Sequence, residues 1–66
     1  MKITINGQMQ SFDGGLNVAD VLERQGYAGM LVAVARNGEF VAKADYGAVE
    51  LADGDDLEIV APMQGG

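Results

Sequence analysis

LNVADVLERQG, Leu16 to Gly26, is the stretch where the chain changes period. On either side of it apolar residues alternate or run together; within it Val18, Val21, Leu22 and Gln25 fall on one line at helical spacing. The punctuation of a helix is complete. Asn17 is a good N-cap, and Asp20 three residues later makes a capping-box-like first turn. Leu16 before the cap can meet Val21 as a hydrophobic staple. Asp20 and Arg24 are spaced to pair on the outer face, for a few tenths of a kcal/mol. Gly26 stands where a left-handed residue closes a helix.

Toward the N-terminus the pattern is that of strands. MKITI places Met1, Ile3 and Ile5 on one face, and Asn6-Gly7 is the strongest short hairpin signal. QMQSF returns. A three-residue loop or a bulge at Gly7, which sets Met9 opposite Ile5, is the expected register, because it keeps the apolar side chains together. Toward the C-terminus, MLVAVAR (Met30 to Arg36) reads as a central strand covered on at least one side, and Asn37-Gly38 as a second hairpin turn. FVAKA returns, a loop with one short helical turn follows, and DLEIVA is the last strand, with Leu57, Ile59 and Ala61 facing one way. The order is β-β-α-β-β-β. One helix covers one face of a five-stranded sheet, so the other stays open, with Val60, Phe40 and alanines of the third strand on it. That face is either a docking surface or ordinary scattered surface hydrophobes.

Sixty-six residues make one domain. Such a chain buries only about 60% of the surface its unfolded form exposes, which leaves little room for a deep cleft. Ten acidic and four basic residues give a net charge of −6. That balance repels nucleic acid and anionic membranes and suits a basic protein partner, or merely keeps a small domain soluble. No cysteine and no histidine occur, which removes thiol chemistry, thiolate ligands and a histidine base. MKITING enters a strand at once with no apolar leader, and no apolar run approaches membrane-spanning length, so a cytoplasmic protein is expected.

The chemical motifs are sparse. Asp53, Asp55, Asp56 and Glu58 lack the spacing of a calcium loop, so no metal site is expected. Gly14-Gly15 before the helix matches neither a dinucleotide fingerprint nor a P-loop. Ser11 and Thr4 are the aliphatic hydroxyls, without a histidine to activate them, so no catalytic residue is assigned. What remains is the ending, APMQGG. Residues 1–61 form the domain and 62–66 a tail closing on Gly65-Gly66. Glycines allow close approach of backbone to a narrow channel, and five extended residues reach at most ~17 Å. The tail is either a frayed end or one whose carboxylate is the working group.

A hairpin, a helix, further strands, Leu51-x-Asp53-Gly54-Asp55 before the last strand and a C-terminal diglycine together resemble the ubiquitin-like β-grasp family. Acidity, lack of cysteine and length look most like its ThiS-type sulfur carriers of thiamin biosynthesis. VAVARNGEFV (Val32 to Val41) is similar to that family's central strand and hairpin, and LADGDDLEIV (Leu51 to Val60) to its final turn and strand.

The resemblance implies an α+β fold and a carrier rather than an enzyme. In it, the Gly66 carboxylate is adenylated by a ThiF-type adenylyltransferase that brings ATP and Mg. An external persulfide donor then converts it to a thiocarboxylate, and thiazole synthase accepts the sulfur. Gly65, Gln64 and Met63 would contact the partner's channel, and the carrier would bind no cofactor itself. Val60 and Phe40, with Asp53, Asp55 and Asp56, would dock the partner. The molybdopterin synthase small subunit, another β-grasp sulfur carrier and a ubiquitin-like modifier share this fold and tail.

Overall fold

The computed structural model describes residues 1–61. Its elements are β1 (Lys2–Ile5), β2 (Gln8–Ser11), α1 (Val18–Arg24), β3 (Ala33–Arg36), β4 (Glu39–Val41), a 3₁₀ turn (Lys43–Asp45) and β5 (Asp56–Val60). The strands form one mixed sheet in the order β2-β1-β5-β3-β4. The last strand is thus the central one. It runs parallel to β1, with Thr4 beside Asp56 and Ile5 beside Leu57, and antiparallel to β3, with Ala33 beside Val60 and Ala35 beside Glu58.

α1 forms where its caps predict. Asn17 Oδ1 accepts from the Asp20 N–H at 2.7 Å, and the Asp20 carboxylate accepts from the Asn17 N–H at 3.1 Å. Such a cap contributes about 1 kcal/mol. Gly26 follows with φ +87°. The expected Asp20–Arg24 pair is not formed. The capping box holds the Asp20 carboxylate over the first turn, and Arg36–Asp55 is the ion pair found among the described residues.

Alternation in the strands sets the core. Ile3 and Ile5 of β1, Val34 of β3, Val41 of β4 and Leu57 and Ile59 of β5 face the helix, and Val18, Val21 and Leu22 meet them. Leu16 and Leu51, neighbours through the Leu51 N–H to Leu16 carbonyl hydrogen bond at 2.9 Å, complete this layer. Gln25 does not join the apolar floor; its side-chain amide exchanges two hydrogen bonds with Gln10 of β2, at 3.2 and 3.1 Å.

The first hairpin departs from the expected register. Ile5 pairs with Gln8 and Thr4 with Met9, so the turn has two residues and no bulge. Asn6 and Gly7 both take positive φ, +51° and +83°, the geometry of a type I′ turn whose twist matches the flanking strands. Turn geometry outweighs the apolar match, and Met9 is left on the open face, 69% exposed.

Candidate functional site

Opposite the helix, the sheet is bare. β5 turns Asp56, Glu58 and Val60 outward, and each has a cross-strand neighbour on the same face. Ala33 lies beside Val60, and Ala35 lies between Glu58 and Phe40. The two small side chains of β3 leave a shallow saddle between Phe40, 74% exposed, and Val60, 62% exposed. The sheet therefore brings Val60 and Phe40 to one face across β3, as the alternation predicts. Apolar side chains this exposed, grouped next to the end of the central strand, are a physical basis for partner contact.

The acidic residues separate. Asp56 is exposed on the open face beside Thr4. Asp53 is exposed at the end of the sheet, where its Oδ1 accepts from the Lys2 N–H at 2.7 Å. Asp55 is buried. Its carboxylate accepts from the Ala52 N–H at 2.8 Å, the Asn37 amide at 3.0 Å and the Arg36 Nε–H at 2.9 Å. Burial pushes this carboxyl up, but the Ala52 N–H, the Asn37 amide and the Arg36 guanidinium outweigh it and hold the group below its ordinary value. The Asp55 carboxylate is therefore spent inside the fold, and Asp53 and Asp56 are the ones turned to solvent.

Met63, Gln64, Gly65 and Gly66 lie outside the described residues. β5 ends at Val60, and Ala61 is the last described residue, so the chain leaves the sheet at the edge of the Phe40–Val60 saddle.

A concavity of about 430 Å³ lies elsewhere, beside α1. Leu22, Tyr27, Met30 and Tyr46 line it, with Asp20 and Lys43 among its charged residues; no serine lines it and the chain has no histidine or cysteine. Its lining therefore holds no Ser–His or Cys–His pair. Among the described residues no cluster of carboxylates could hold a metal ion. No helix among them is long and apolar enough to cross a membrane.

Two features were missed in the sequence. Met9 joins the open face, and its signal was present, since Asn-Gly favours the two-residue turn that puts it there. The burial of Asp55 against Arg36 and Asn37 had no local signal, because both are far from it along the chain; its bond from the Ala52 N–H is the local one.

A five-stranded mixed sheet holding one helix on one face, the other face open, defines a ubiquitin-like β-grasp domain. A model of the ThiS family matches residues 3–66, and the chain belongs to that family.

The crystal structure of thiamine biosynthesis protein ThiS from Geobacter metallireducens superimposes with a TM-score of 0.84 at 35% identity, over the whole of both chains. The solution structure of a thiamine biosynthesis protein from the same organism gives 0.83, covering all of this chain and 88% of that one. The chain is also similar over all 66 residues to thiazole synthases from Paramagnetospirillum magneticum (44% identical) and Magnetococcus marinus (38%). It spans 20% of the length of those two curated relatives.

Proposed function

We propose that the chain is a sulfur carrier of thiamin biosynthesis and that its working group is the Gly66 carboxylate. One observation carries the reading: the family match runs from residue 3 to 66, so it takes in the diglycine together with the fold. A carboxylate is a poor acyl donor and must be activated. An oxygen of Gly66 attacks the α-phosphorus of ATP on a ThiF-type adenylyltransferase, and pyrophosphate leaves. The terminal sulfur of an external persulfide then attacks the acyl carbon and expels AMP. A thiol cleaves the resulting S–S bond, forming a disulfide with the donor and releasing the thiocarboxylate. The chain has no cysteine, so both the sulfur and the thiol come from outside it.

In this reading the partner supplies Mg, ATP and the charge stabilisation of the transition states. The carrier supplies a terminus and an address. Gly65 keeps the approach narrow, and Gln64 and Met63 contact the channel. The similarity to a fifth of two proteins named thiazole synthase supports that enzyme as the acceptor of the sulfur. Intact-mass spectrometry after incubation with the adenylyltransferase, ATP and a persulfide donor tests the reading. One terminal oxygen is replaced by sulfur, and the change disappears when ATP is omitted. If the mass stays fixed with a competent partner, the carrier reading fails.

The saddle of Phe40, Ala35, Ala33 and Val60 is the address, with Asp53 and Asp56 as its charged surroundings. Replacing Phe40 by aspartate is expected to raise the KM of the adenylyltransferase for the carrier about tenfold or more, the effect of losing an aromatic anchor. The same KM rises with ionic strength as the pairing of Asp53 and Asp56 with basic partner residues is screened. A KM unchanged by both Phe40→Asp and salt would place docking elsewhere.

A further inference from the structure

The two hairpin turns are built alike, and each reaches out to β5. Asn6-Gly7 and Asn37-Gly38 have nearly the same backbone, with φ of +51° and +83° in the first and +50° and +84° in the second. Asn37 grips the start of β5: its N–H donates to the Asp56 carbonyl at 2.8 Å, and its Oδ1 accepts from the Asp56 N–H at 3.0 Å. Asn6 grips the end of β5. Its side-chain amide donates to the Ile59 carbonyl at 3.1 Å, and its Oδ1 accepts from the Ile59 N–H at 2.8 Å.

The second grip replaces part of the sheet. Along the parallel β1–β5 ladder the Thr4 N–H donates to the Asp55 carbonyl and the Asn6 N–H to the Leu57 carbonyl. The next rungs would need residues 6 and 8 to continue beside Ile59, but the chain turns away at Gly7 to form β2. The Ile59 N–H and C=O point toward β1 and would otherwise be left to solvent. The primary amide of Asn6 has a donor and an acceptor side by side, like a peptide group, and supplies both missing rungs. This happens at the residue from which only Val60 and Ala61 remain before the end of the described chain.

We infer that Asn6 is a positioning residue: its side chain extends the β1–β5 ladder to Ile59 and so fixes the point from which the C-terminal segment is presented to the activating enzyme. The role rests on the carrier reading above. A carrier whose β5 end is already ordered pays less conformational entropy when it docks and threads its terminus. Without the Asn6 amide that ordering is deferred to the complex. The cost then appears in KM for the carrier, and kcat at saturation stays near its original value. Asn37 is the internal control, because its grip lies at the far end of the same strand.

The test compares Asn6→Gly with Asn37→Gly. Glycine keeps the positive φ without strain, so each variant removes only the side chain. Amide hydrogen exchange by NMR is expected to rise on the order of tenfold at Ile59 in Asn6→Gly, the loss of a net hydrogen bond, and not in Asn37→Gly. With the adenylyltransferase, KM for Asn6→Gly rises several-fold more than for Asn37→Gly, although Asn37→Gly, which also loses its amide hydrogen bond to the buried Asp55 carboxylate, has the lower urea midpoint. An Asn6→Asp variant keeps the acceptor but turns an anion on the Ile59 carbonyl, and its KM follows Asn6→Gly. Equal Ile59 exchange in the two glycine variants overturns the ladder extension. A selective rise in exchange with equal KM overturns the positioning role. A wild-type protein that is never adenylated overturns the carrier reading instead, and the exchange comparison still decides whether Asn6 holds Ile59.

Discussion

Deleting Gly66, or adding one residue after it, is expected to abolish thiocarboxylate formation while leaving the thermal unfolding transition where it was. One residue moves the terminal carboxylate by roughly 3.3–3.6 Å along an extended chain. A misplacement of about 1 Å at a reacting group can already cost on the order of a hundredfold in rate. In the carrier reading an added residue fails for a second reason: Gly66 then carries an amide carbonyl in place of the carboxylate proposed to attack phosphorus. None of the described core residues lies beyond Ile59, so the fold does not register the change. The measurement is intact mass with the partner enzyme, beside a melting curve by circular dichroism. An extended variant that gains sulfur at the wild-type rate would sink the assignment of Gly66.

The second large effect concerns stability. Replacing Asp55 by alanine is expected to cost about 2–3 kcal/mol, because the Ala52 N–H, the Asn37 amide and the Arg36 guanidinium lose their common acceptor. Asp55 is 7% exposed, so water replaces the acceptor poorly. A domain of this size has roughly 3–10 kcal/mol in total, so the variant loses a large share of it. Urea unfolding at neutral pH measures the loss.

The pH dependence has a definite sign. The Asp55 carboxyl sits below its ordinary value of 3.8 in the folded protein. Its contribution is therefore present above the unfolded value and is lost as pH falls through the lower folded one. Asp55→Asn removes the titrating group and keeps the shape. Between about pH 5 and pH 2 its urea midpoint should fall less steeply than that of the wild type. Parallel curves for the two proteins would show that the network does not couple to protonation of Asp55.

Asp55 and Asn6 owe their roles to partners that no local pattern reveals. Both sit in motifs that were recognised, an Asp-Gly turn and an Asn-Gly hairpin, and in both the recognised motif was local. Their tertiary partners are distant. Asp55 meets Arg36 and Asn37, 19 and 18 residues away, and Asn6 meets Ile59, 53 residues away. On the candidate docking face, Val60 and Phe40 were legible from alternation alone, since the period of a strand decides which face a residue takes. Met9 was misplaced because two local rules conflicted there, apolar register against turn geometry, and the turn prevailed.

Sequence by itself determined the element order, the caps of α1, the positions of both hairpins and the apolar residues of β1, α1 and β5 that form the core. Each depends on residues within a few positions of one another, where propensity, capping and turn chemistry act directly. Tertiary structure decided that β5 becomes the central strand, parallel to β1 on one side and antiparallel to β3 on the other. It also decided that one aspartate of the acidic run is buried while its neighbours face solvent, and that two turn asparagines clasp the strand that leads to the terminus. Those outcomes are competitions among distant groups for the same hydrogen-bonding partners, and only the assembled sheet brings the competitors within reach.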